Sequence, residues 1–117
     1  MIKVGIIGFG GIADVHYRAY KNIEDAQVVA VADVRYDMAK EKLGDDINKI
    51  NVYKSMEELL VNENVDMLDI CTPTYLHADM TVKTLESGVH VMCEKPMAIN
   101  SEEAKKMFDA EKNQIRF

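Results

Sequence analysis

Short apolar runs alternate with amphipathic stretches along the whole chain. Ile2–Ile7 reads as a strand, and Gln27–Asp33 is apolar at nearly every position before its closing carboxylate. That second pattern belongs to a parallel strand covered on both faces. Further strands are predicted near Val52-Tyr53, over Met67–Cys71 before Pro73, and over Val89–Cys93 before Pro96. Between these runs the apolar spacing turns helical. A first helix is predicted over Gly11–Asn22, with apolar residues at 12, 15, 19 and 23, and a second over Asp37–Leu43, closed by Gly44. Ser55 with Glu58, and Asn100 with Glu103, have the spacing of capping boxes, in which each end residue satisfies the other's free amide. They open a third helix carrying Leu59 and Leu60 and a fifth whose face is Ala104, Met107 and Phe108. The fourth helix is predicted over Leu76–Ser87, with an Ala78, Val82, Leu85 stripe and Gly88 at its end. Ile115-Arg116-Phe117 looks like the start of a sixth strand.

Strands that alternate with helices require a parallel sheet covered on both faces, joined by right-handed crossovers. The expected fold is α/β, three-layered and doubly wound, with strand order 3-2-1-4-5 and one domain over residues 1–117. In such sheets ligands bind beyond the C-terminal strand ends, where the order reverses between strands one and four. The chain's most unusual residues converge on that edge: the glycines after strand one, Asp33, Thr72-Pro73 and Glu94-Lys95.

The first of these segments, Gly8-Phe9-Gly10-Gly11-Ile12-Ala13, is a G-x-G-x-x-A turn between a strand and a helix. Gly8 permits the tight turn, Gly10 leaves room for a phosphate to approach the backbone, and Ala13 lets helix and strand pack closely. A pyrophosphate would sit on the helix N-terminus, held by free amides and the helix dipole. Asp33 lies twenty residues beyond Ala13, where a carboxylate accepts from adenosine ribose hydroxyls and repels a 2′-phosphate. NAD is therefore expected ahead of NADP, although Arg35 is a guanidinium that could meet that phosphate instead.

The formal charge of −6 argues against nucleic acid as a partner. It also means that an anionic cofactor must be held by local dipoles rather than by the overall field. No apolar run is long enough to span a bilayer, and the chain enters its first strand with no leader pattern, so the cytoplasm is expected. Cys71 and Cys93, the only cysteines, read as core thiols without a disulfide. His16, His77 and His90 do not add metal-ligand spacing to them.

At the end of strand four, Pro73 stops the ladder and presents Thr72 and its carbonyl to the crevice, beside Cys71. His77 follows in the first turn of helix four, as a local cap or as a cofactor or substrate contact. At the end of strand five, Lys95 is held beside Pro96, either with Glu94 as a solvated loop pair or as an ammonium that hydrogen-bonds a substrate hydroxyl or its developing alkoxide. The Lys95–Pro96 bond is a candidate for the cis form. Asp69, inside a strand, needs a partner that the sequence does not identify.

Together these segments resemble the N-terminal half of the glucose–fructose oxidoreductase, inositol dehydrogenase and MocA family. The resemblance rests on the glycine turn with His16, on Ala32-Asp33-Val34, on Asp69-Ile70-Cys71-Thr72-Pro73 with His77, and on Gly88-Val89-His90-Val91-Met92-Cys93-Glu94-Lys95-Pro96. It implies an NAD(P)-dependent oxidoreductase of sugars, polyols or related hydroxy compounds. It further implies that Lys95 contacts substrate and supports proton movement, with Glu94 and the Thr72-Pro73 turn bordering the nicotinamide ribose and His77 nearby. Family members are about three times as long, and their second domain supplies the sugar pocket and an acid/base histidine. The expectation is thus a truncated cofactor-binding domain with little turnover of its own. Its open sheet edge invites a homodimer or a domain-swapped assembly. A stand-alone dinucleotide sensor, or a self-associating module without catalysis, is the competing expectation.

Overall fold

A computed structural model describes residues 1–94, 98 and 100–114 of the chain. Five parallel strands, β1 (Ile2–Ile7), β2 (Ala26–Ala32), β3 (Asn51–Tyr53), β4 (Met67–Ile70) and β5 (His90–Cys93), form one sheet in the order β3-β2-β1-β4-β5. Five helices alternate with them: α1 (Gly11–Tyr20), α2 (Tyr36–Leu43), α3 (Met56–Asn62), α4 (His77–Glu86) and α5 (Ser101–Gln114). The expected doubly wound architecture is therefore present. The expected strand at Ile115–Phe117 and the Lys95–Pro96 bond lie outside the described residues.

Strand alternation divides the core into two layers. Val4, Ile6, Val28 and Val31 face α1 and α2, where they meet Phe9, Ala13, Tyr17, Tyr20, Ala39 and Leu43. Ile7, Ala30, Ala32, Leu68 and Ile70 face the other way, onto Met56, Leu59 and Val65. The same period places Met67, Asp69 and Cys71 on the α1 side of β4. Helix α5 packs on α4.

Both capping boxes form at their N-cap side chains. Glu58 N–H donates to Ser55 Oγ at 3.1 Å and Glu103 N–H to Asn100 Oδ1 at 2.9 Å. The polar stretch after α2 is a 3-10 turn over Gly44–Asn48, and a second such turn, Thr74–Leu76, delays the start of α4 to His77.

Two helices are rotated relative to expectation. In α1 the buried residues are Ala13, Tyr17 and Tyr20, whereas Ile12, Val15 and Ile23 are exposed. Ala13 sits at 0 % exposure against the sheet, and the helical period then assigns the inner face to 17 and 20. In α5 the inward residues are Met107 and Ala110, while Phe108 is exposed. In α4 the buried set is His77, Ala78, Thr81 and Thr84, so the Val82 and Leu85 of the expected stripe lie at its margin. The two thiols are half-buried rather than sealed in the core.

Candidate functional site

The bend after β1 is held from three sides, by groups that leave its outer surface free. Gly8 takes φ +82° and donates its amide to the Ala32 carbonyl at 2.7 Å. Phe9 anchors the turn: its side chain is 1 % exposed and meets Tyr17 edge-on at 5.7 Å. The Phe9 amide donates to Asp33 Oδ2 at 2.7 Å, and its carbonyl accepts from Lys42 Nζ at 3.2 Å. Gly10 is the N-cap of α1, and no side chain caps the helix. The first-turn amides thus have no intrahelical partner and face outward with the positive end of the helix dipole. A Cβ built at Gly10 or Gly11 meets nothing within 4 Å. This is a cradle with its donors exposed, and it fits a pyrophosphate.

The bend opens into a cleft of about 590 Å3 along the C-terminal strand ends. Of the residues expected in the site, Gly8, Phe9, Gly10, Asp33, Arg35, Cys71, Thr72 and Pro73 line it. Gly11, Ile12, His77 and Glu94 are not in its wall, and Lys95 lies outside the described residues. His77 is 1 % exposed, with Nε2 at 2.6 Å from the Thr72 carbonyl. It holds the Thr72-Pro73 turn from behind.

Asp33 does two things at once. Its Oδ2 accepts the Phe9 amide, and its Oδ1 accepts the Arg35 amide at 2.8 Å, with Arg35 Nε 3.8 Å away. Each carboxylate oxygen has a second lone pair, so Asp33 braces the bend and still offers acceptors to the cleft. Sequence reasoning missed the opposite wall, where Lys54, Met56, Tyr75 and Met80 contribute. They arrive from the start of α3, from the turn before α4 and from α4 itself, none of which carries a cofactor motif. Val34 and Tyr75 are 88 % and 64 % exposed at the cleft, giving two apolar surfaces for a flat ring.

On the α1 side of the same strand ends lies a polar cluster that supplies the missing partner of Asp69. This carboxylate is fully buried; its Oδ2 lies 2.8 Å from His16 Nδ1 and accepts from the Tyr20 hydroxyl at 2.9 Å. The Cys71 thiol donates to Asp69 Oδ1 at 3.4 Å. The other ring nitrogen of His16 lies 3.0 Å from Glu94 Oε2. Burial, then the adjacent Asp69 charge, pushes both the Tyr20 phenol and the Cys71 thiol well above their ordinary values. Both therefore stay neutral donors. His16, Asp69 and Cys71 offer three ligand atoms within 4.8 Å of one another, and in this structure they are joined to each other by hydrogen bonds.

Comparison with known proteins accords with this geometry. The chain is 35% identical over 114 residues to a myo-inositol 2-dehydrogenase from Thermotoga maritima, covering 95% of this chain and 33% of that enzyme. The fold matches the WlbA dehydrogenase from Bordetella pertussis, solved with NADH and UDP-GlcNAcA, with a TM-score of 0.87 and 29% identity, over 97% of this chain and 34% of that one. It matches equally, at TM-score 0.87 and 28% identity over 97% and 34% of the two chains, a 3-ketoreductase from Actinomadura kijaniata solved with NADP. The chain thus spans about a third of the length of the relatives it matches. The family model described as an oxidoreductase family with an NAD-binding Rossmann fold matches residues 2–116. With the uncapped bend, Asp33 and the switch-point cleft all in place, this chain belongs to that family, the glucose–fructose oxidoreductase, inositol dehydrogenase and MocA group.

Proposed function

We propose that the cleft binds NAD in preference to NADP, and that the bound nicotinamide serves oxidation of a polyol, sugar or related hydroxy compound. The observation that carries this reading is the open, uncapped start of α1 beside the braced carboxylate of Asp33. The pyrophosphate would take the first-turn amides beyond Gly10, and the adenosine ribose would take the remaining lone pairs of Asp33. The adenine would enter between Val34 and Tyr75. Arg35 and Lys54 stand on the same side, so NADP is expected to bind measurably but more weakly. The nicotinamide half then lies toward the ends of β4 and β5, because the sheet order puts them across β1 from β2. When bound, the nicotinamide supplies the hydride acceptor. Thr72, Pro73 and Glu94 border its ribose in this reading, with His77 fixing the Thr72-Pro73 turn. Lys95 contacts the substrate hydroxyl and shares its proton.

A calorimetric titration of the chain with NAD, NADH and NADP tests this. The expected result is saturable heat with NAD and NADH and a weaker constant for NADP. A folded sample that gives no heat with any of them refutes it. Turnover is expected only together with the portion that the longer relatives carry, whose addition in trans should allow polyol oxidation. The edge of β5 away from β4 has no partner strand among the described residues, and we propose that two copies meet there in a dimer or a domain swap. Monodisperse monomer in light scattering at high concentration would exclude that assembly. Two half-buried free thiols and the dinucleotide chemistry suit the reducing cytoplasm.

A further inference from the structure

His16 is held between two carboxylates from different strands. Nδ1 meets Asp69 at 2.8 Å and Nε2 meets Glu94 at 3.0 Å. Ionised carboxylates only accept hydrogen bonds. Both contacts are therefore satisfied together only when each ring nitrogen carries a proton. The other groups recorded in the cluster are neutral: the Cys71 thiol beside the ring, the Tyr20 hydroxyl on Asp69 and, behind Tyr20, the Met92 thioether. Among the described residues no lysine or arginine pairs with Asp69 or Glu94. The trio of two carboxylates and one imidazolium thus has a net charge of minus one. It stands at the ends of β4 and β5, across the bend from Asp33.

We infer that His16 is a positioning residue which fixes the Glu94 carboxylate at the end of β5, beside the place proposed for the nicotinamide, and that the trio's net negative charge favours the oxidised, cationic nicotinamide over the neutral reduced one. The inference rests on the dinucleotide reading above and adds to it a preference between redox states. Helix α1 carries both parts of the device: its first turn receives the phosphates, and one turn later His16 ties β4 to β5.

Glu94→Gln and His16→Gln test this through opposite signs. Titration of each folded variant with NAD and with NADH gives the ratio of affinities. Removing the Glu94 charge should lower the preference for NAD by about 3- to 10-fold, the effect of one unit charge across a partly solvated site. Removing the imidazolium should raise it by a similar factor. A purely structural role would move both ratios alike or not at all, and either result overturns the inference. Nitrogen NMR of the His16 ring in the wild-type chain should show a proton on both nitrogens, with only the Nε2 signal shifting strongly in Glu94→Gln. A ring with one bare nitrogen at neutral pH also overturns it. If the wild-type chain binds neither nucleotide, the dinucleotide reading itself falls and takes this inference with it. Binding with an unshifted ratio removes the inference alone.

Discussion

Gly10→Ala and Gly8→Ala place the same methyl two residues apart in one bend, and the structure assigns them opposite consequences. At Gly8 the backbone has φ +82°, and a Cβ would lie 2.9 Å from Thr72 Cγ2 and 3.2 Å from the Cys71 carbonyl carbon and oxygen. The left-handed conformation costs an L-residue about 1–2 kcal/mol. Crowding against backbone that cannot rotate away adds about 1–3 kcal/mol. A loss of roughly 2–5 kcal/mol should lower the melting temperature of a domain this size by about 10 °C or more. At Gly10 the backbone is extended, with φ −88°, and the new Cβ touches nothing. The small N-cap penalty of alanine and its lower unfolded-state entropy nearly offset, so stability should change by less than about 1 kcal/mol. That methyl instead occupies the space a phosphate must enter. Losing one charge-assisted amide bond costs about 1.5–3 kcal/mol, or roughly 10- to 100-fold in NAD affinity. Thermal denaturation and calorimetric NAD titration of both variants give the readout. Gly10→Ala binding NAD as tightly as the wild type would show that the pyrophosphate does not use this bend.

Replacing Asp33 with Ala should lower NAD affinity more than NADP affinity. It should also reduce stability, since the amides of Phe9 and Arg35 lose their acceptor; unchanged discrimination in a folded variant would remove Asp33 from ribose recognition. Tyr17, Tyr20 and Tyr53 all have raised values, with burial the main cause and Asp46, Asp69 and Glu63 the neighbouring acids; Tyr53 is pushed up to about 12. Because the folded values exceed the ordinary value of about 10, this contribution to stability is fully present below about pH 10 and is lost as pH rises through the folded values. Phenolate absorbance from these three tyrosines should therefore appear late and together with unfolding, and their early titration with the far-UV dichroism intact would refute the reading. In α5, Met107→Ala should cost about 2–5 kcal/mol and Phe108→Ala less than about 0.5 kcal/mol in urea denaturation. A comparable cost at Phe108 would show that it shares the buried face with Met107, as the apolar pattern alone suggests.

The order of elements, the strand order and the cleft edge were legible in the sequence because each depends on local, periodic information. Alternation of period 2 and 3.6 identifies strands and helices, and the handedness of crossovers leaves few topologies for them. The glycine bend and Asp33 were legible for a similar reason: backbone geometry demands those residue types at that spacing. Helix rotation was less so. Ile12, Val15, Ala19 and Ile23 form the more aliphatic stripe of α1, yet the buried face carries Ala13, Tyr17 and Tyr20. The close packing already required of Ala13 contained that answer, because the helical period ties 17 and 20 to it.

Asp69 shows what the chain alone could not determine. Its carboxylate, in the middle of an apolar strand, looked like an uncompensated cost. Its partners come from positions 16, 20 and 71, and two of these lie some fifty residues away on a helix whose rotation depends on Ala13. Glu94 likewise reaches His16 only because β5 pairs with β4 in a register that sets Cys93 beside Ile70. The far wall of the cleft, with Lys54 and Tyr75, gathers in the same way from segments without a cofactor motif. Local pattern determines which backbone shapes the chain adopts. Which side chains share a proton or line a wall depends on register and rotation, and these are settled only when the layers pack and every buried polar group must find a partner.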